Sequence, residues 1–113
     1  MILEAVVEGV THKIDVPDEM LVEGEDFFRQ MDADMDKGYQ MHREWVEKPG
    51  REDRIRIVAD RMLGAMESSK KTMTQLMAGY ILTRMPGIAG VDVDTGGEMQ
   101  QTEIIMGGGH EFN

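Results

Sequence analysis

The stretch Arg51–Met85 constrains the fold more than any other part of the chain. It lies between two breakers, Lys48-Pro49-Gly50 and Met85-Pro86-Gly87. Within it Ile55, Ala59, Met62, Met66, Ser69, Met73, Leu76 and Tyr80 step by four and three, the spacing that lines up one face of an α-helix. A single helix over 51–85 is therefore expected, and the other segments read as its covering elements. Its last part, Leu76 to Leu82, is apolar nearly all round. A helix apolar on every side has to be buried on every side, so either a sheet or a second chain, or both, has to meet it.

A second helix is predicted over 25–47. Phe28, Met31, Met35, Gly38, His42 and Trp45 keep the same spacing, and Phe27, Tyr39 and Val46 widen the stripe. The short Lys48-Pro49-Gly50 connection makes the two helices antiparallel. Coiled-coil spacing then pairs positions summing to about 100. Gly38 faces Met62, Met35 faces Ala65 and Met66, Phe28 faces Thr72 and Met73, and His42 comes close to Met62. Ahead of this helix, Pro17 can open a short helical turn at Met20-Leu21-Val22, and Gly24 marks a kink or a fresh start.

The ends of the chain read as strands. Val10, His12, Ile14 and Val16 alternate with Thr11, Lys13 and Asp15, and Ile2 to Val7 is apolar apart from Glu4. Glu8-Gly9 between them suits a tight hairpin turn, and His12 is expected half-buried near an edge. Ile88-Ala89-Gly90 reads as a linker. Val91 and Val93, then Gln100 to Met106, make a second hairpin around Asp94-Thr95-Gly96-Gly97. The expected fold is α+β: an antiparallel two-helix hairpin (25–47 and 51–85) with a small antiparallel β-sheet from the N-terminal and C-terminal hairpins. Residues 1–106 form one domain, and Gly107-Gly108-Gly109 releases a flexible tail, 107–113.

At 113 residues the chain suits one domain. Its net charge of −10 repels phosphates, so nucleic acid and anionic membranes are poor partners. No run approaches the ~18 apolar residues of a membrane span. The start carries no basic segment before an apolar one, and the chain has no cysteine, so a cytoplasmic protein is expected. From Asp18 to Asp36 there are eight acids and one base, Arg29. One use of that polarity is an acidic helix beside the partly basic Arg51–Arg61 segment; the reading adopted is a solvated acidic face.

The chemical motifs are weak. Asp32-x-Asp34-x-Asp36 with Gly38 and Glu44 misses the calcium-loop spacing, since position six is Lys37 and position twelve is Arg43. A di-iron bundle needs Glu-x-x-His, and Tyr39 stands three before His42. Ser68 and Ser69 have no adjacent base. Asp92, Asp94 and Glu98 flank a glycine-rich turn, where such residues usually make the turn itself. The twelve methionines leave one metal option: Met35, Met62 and Met66 with His42 offer thioether and imidazole ligands suited to Cu(I). No cofactor is expected. The reading that accounts for Leu76–Leu82 is a non-catalytic accessory or adaptor protein working through protein–protein contact. It would be a helical-bundle homodimer with Leu76, Met77, Tyr80 and Ile81 in the interface. Copper binding or sensing is the alternative.

Overall fold

The computed structural model describes residues 1–107. Strand β1 (Ile2–Val7) turns at Glu8-Gly9 into β2 (Val10–Asp15). Both turn residues have positive φ, 51° and 80°, the pair that a type I′ hairpin turn requires. The register sets Leu3 against Ile14 and Ala5 against His12. Leu3, Ala5 and Ile14 are buried, whereas His12 is exposed on a strand at the edge of the sheet.

Two more strands complete the sheet, β5 (Ile88–Val93) and β6 (Glu103–Met106), in the order β2-β1-β5-β6. The hairpins merge as expected, but β1 and β5 run parallel, so the sheet is mixed rather than antiparallel. A parallel pair needs a long crossover, and the whole helical middle of the chain supplies it. Ile88-Ala89-Gly90 is accordingly the start of a central strand and not a linker. The expected tail, 107–113, lies outside the described residues apart from Gly107, whose N–H donates to Gly87 O at 2.8 Å.

Helix α1 (Asp18–Glu23) follows Pro17, and α2 (Glu25–Asp36) restarts at Gly24. The helix expected over 25–47 ends eleven residues early. Residues beyond Asp36 form a small hairpin, β3 (Tyr39–Met41) and β4 (Glu44–Val46). Gly38 and His42 take positive φ, 103° and 57°, which no helix accommodates, and Tyr39, Trp45 and Val46 are good strand formers. Gly38 is packed under the Trp45 ring rather than against Met62, so the helix register predicted around Met62 does not exist.

The long run 51–85 is two helices, α3 (Arg51–Glu67) and α4 (Lys71–Arg84). The break at Ser68-Ser69-Lys70 is a Schellman closure. Lys70 N–H donates to Ala65 O (2.9 Å), Ser69 N–H donates to Met66 O (3.1 Å), and Ser69 has φ 56°. Glycine normally signals such a stop; serine does not, so the 3.6-residue pattern hides it. The three-residue turn folds α4 back along α3, so the helical hairpin exists one element later than expected.

Both α3 and α4 lie on the sheet. Ile55, Val58, Ala59 and Met62 from α3 and Met77, Ala78 and Ile81 from α4 meet Leu3, Ala5, Val91 and Val93 in one core. The all-round apolar Leu76–Leu82 segment is thus covered largely by the chain's own sheet and helices. Phe28 of α2 closes the outer side, fully buried. A Cβ added to Gly79 on α4 would lie 3.0 Å from its ring, and one added to Gly24 would lie 2.9 Å from it. The two glycines form the slot in which the ring sits.

The position of Ser69 gives a test with a definite sign. A non-glycine residue in the left-handed region costs about 1–2 kcal/mol, against about 0.5–1 kcal/mol of extra entropy lost by glycine. Ser69→Gly should therefore raise unfolding stability in urea by about 0.5–1 kcal/mol. In a continuous helix it would lower stability by ~1 kcal/mol.

Candidate functional site

The residues singled out in the sequence are not all brought together. Met35 and Met62 are buried and Met66 is partly buried. His42 sits exposed at the β3–β4 turn, so the helical alignment that placed it beside Met62 is absent. Met77, Tyr80 and Ile81 are buried within the chain, and Leu76 is partly exposed. Asp94 makes the turn after β5: its Oδ2 accepts from Gly96 N–H (3.0 Å) and Glu98 N–H (2.8 Å).

A polar cluster organises the outer side of the helices. It joins α2 to α3 and α4, and its centre is Asp32. The Asp32 carboxylate accepts from Tyr80 Oη (2.5 Å), Arg84 Nε (3.1 Å) and Arg54 Nη1 (3.3 Å). Arg84 then forks onto Glu25, Nη1 to Oε1 at 2.9 Å and Nη2 to Oε2 at 3.1 Å, the two-pronged geometry in which guanidinium–carboxylate pairs are strongest. Its guanidinium also lies 5.7 Å from the Phe28 ring centre and 5.4 Å from that of Tyr80. Arg54 reaches Asp36 through Nη2 and Pro49 O through Nε (2.8 Å).

The electrostatics follow from these contacts. The hydrogen bond from Arg84 holds the Glu25 carboxyl below its ordinary value, and the bond from Arg54 does the same for Asp36. Burial, and then its hydrogen bond to the Asp32 carboxylate, pushes the Tyr80 phenol up. Tyr80 is therefore a neutral donor at pH 7, and Asp32 has its oxygens engaged by three donors. With these groups tied to one another across three helices, the cluster reads as a clamp. No buried side-chain nitrogen or oxygen among the described residues lacks a hydrogen-bond partner.

What the clamp holds in place is a groove. α1, the first turn of α2 and the middle of α4 enclose a depression of about 540 Å³, with Pro17, Met20, Gly24, Phe27 and Leu76 as its apolar lining and Glu19 and Glu23 at its rim. Phe27 is 39% exposed and Met73, one turn before Leu76, is 38% exposed; Val22 on α1 is 75% exposed. Glu19 and Glu23 have no ion-pair partner among the described residues. Sequence spacing had already marked Phe27 as widening a stripe and Leu76 as surplus. Nothing local links them to Met20 on α1. Asp32 and Arg84, 52 residues apart, likewise carry no shared signal in the sequence.

Removing the hub should cost more than removing an arm. Asp32→Ala leaves Arg54, Arg84 and Tyr80 short of an acceptor and should lower stability by about 1–3 kcal/mol. Asp36→Ala, at a half-exposed position, should cost clearly less. The lowered carboxyls of Glu25 and Asp36 also set a pH dependence. The unfolded chain binds protons first, so their contribution is complete above about pH 5 and is lost as pH falls through the lowered values. Urea midpoints measured from about pH 6 to pH 3 should fall less steeply in a Glu25→Gln, Asp36→Asn double variant than in the wild type.

No protein-family model, curated protein or solved structure matches this chain.

Proposed function

We propose that the protein is a non-catalytic interaction module that docks a partner protein on the groove between α1, α2 and α4. The observation that carries this is the groove's apolar lining. Met20, Phe27 and Leu76 converge in one depression, with Val22 and Met73 exposed on the same helices. Apolar side chains gathered in a concave, polar-rimmed patch mark docking sites more often than scattered ones do. Aromatic and methionine side chains are the types enriched at the centres of such interfaces. No helix among the described residues is long and apolar enough to cross a membrane.

The homodimer takes a narrower form in this reading. Met77, Tyr80 and Ile81 already have partners within the chain, so a second copy would have to dock through Leu76 and its exposed neighbours. Copper binding by Met35, Met62, Met66 and His42 gains nothing from the fold, because His42 is exposed on the β3–β4 hairpin while Met62 is fully buried.

A photo-crosslinking side chain at position 27, introduced in the protein's own cells, tests the docking reading. A discrete adduct is expected from position 27 and not from Asp92, which is exposed on a strand away from the groove. The Leu76→Asp change should abolish it. An adduct of twice the chain mass would identify a second copy as the partner. Equal labelling from both positions, or none, would overturn the assignment of the groove.

A further inference from the structure

Resting on that docking reading, we propose that the occupant of the groove is a basic amphipathic segment of another protein, one that sets apolar anchors on Met20, Phe27 and Leu76 while its lysines or arginines meet Glu19 and Glu23. Three observations select this chemistry. The groove is lined by two carboxylates and by no lysine or arginine. Those carboxylates are free of ion pairs among the described residues, whereas Glu25, next to the lining Gly24, is committed to Arg84 and Arg29. Of the other acids in the segment, Asp32 and Asp36 face the clamp arginines, Asp18 and Asp26 pair with the N-terminal ammonium and Arg29, and Asp34 accepts from Gln30 Nε2, which leaves Glu19 and Glu23 at the groove.

The second argument is size and shape. A depression of about 540 Å³ holds a few side chains, the amount that one face of a short helix presents at i, i+3 and i+4. Met20 adapts its unbranched side chain to such anchors, and the flanking acids supply the orientation that apolar contact lacks. The third is long-range. With a net charge of −10, each copy repels another copy and attracts a cationic segment. The balance therefore favours a basic partner over self-association, and it disfavours an anionic membrane.

The test titrates the full chain with three synthetic peptides of equal length at about 0.15 M ionic strength, where charges beyond ~8 Å are screened. One carries a leucine face with lysines on the other side, one replaces the lysines by glutamates, and one replaces the leucines by serines. The leucine–lysine peptide should bind at least roughly tenfold more tightly than either of the others, a difference of about 1.4 kcal/mol. NMR shift changes should centre on Met20, Phe27 and Leu76. The exposed pair Glu19→Gln, Glu23→Gln and, separately, Phe27→Ser should each weaken it by roughly tenfold or more. Equal binding of the serine–lysine peptide would show charge attraction alone and overturn the proposal, as would binding insensitive to Phe27→Ser. Light scattering of the free chain closes the remaining route: a dimer that Phe27→Ser dissociates would make the occupant a second copy. If the crosslink from position 27 forms while all three peptides fail, the occupant is wrong and the docking reading stands. If both fail, the reading falls with it.

Discussion

Phe28 is seated in the slot between Gly24 and Gly79, and the position of α2 depends on that one contact. The ring is fully buried, which stabilises by about 1.5–3 kcal/mol. It meets Tyr80 edge-on at 6.2 Å and carries the Arg84 guanidinium beside it. Burial is without direction, so it would leave α2 free to rotate about the ring. The Asp32 clamp removes that freedom, because Glu25, Asp32 and Asp36 must all reach arginines on α3 and α4. Apolar burial supplies most of the energy and the ion pairs, which are partly exposed, supply mainly orientation. With α2 oriented in this way, Phe27 on its neighbouring face is turned out into the groove.

The sheet places the other half of that site. Because β1 and β5 are parallel neighbours, all four α-helices of the described residues belong to the crossover between them, and the crossover has to return to the sheet beside its own start. α3 and α4 cover the sheet, leaving α1 and α2 to cover α4 from outside. The apolar excess of Leu76–Leu82 is mostly consumed by this arrangement. What survives is the margin near Leu76, where α1 is only six residues long and cannot cover the whole flank of α4. A short covering helix beside a long covered one leaves an open apolar edge, and the groove is that edge.

The α+β class, the N-terminal hairpin and the fresh helix start at Gly24 were legible, because each rests on a local signal: alternation, a Glu-Gly turn, or a glycine between helical runs. The misplaced helix boundaries share one cause. Gly38, His42 and Ser69 occupy left-handed backbone while falling in phase with a helical stripe, and periodicity records phase without backbone hand. Gly38 could have warned of the stop after Asp36, since glycine in a helix interior is costly. Ser69 and His42 gave no such warning. The parallel β1–β5 pairing was illegible for another reason, as two hairpins far apart in sequence can meet along either edge and in either direction. The clamp was half legible. The acidic 18–36 run and the basic 51–61 run allow charge pairing, but the acids are expected there as a solvated face, and Arg84, the clamp's most connected arginine, lies in neither run.

Within the acidic run two groups of acids have contrasting surroundings. Glu25, Asp32 and Asp36 turn toward arginines and are neutralised within the chain. Glu19 and Glu23 stand at the rim of an apolar depression. A purely solubilising face would leave its acids over polar surface, where carboxylates are best hydrated. Placing them instead around exposed Phe27 and the partly buried Met20 and Leu76 sets like charges at the rim of the apolar patch, where two copies' rims would repel. The same rim becomes favourable only when a surface of opposite charge arrives with its own apolar anchors. On the proposed docking reading, charge placement is what would discriminate between partners, since the apolar lining alone would accept any of them.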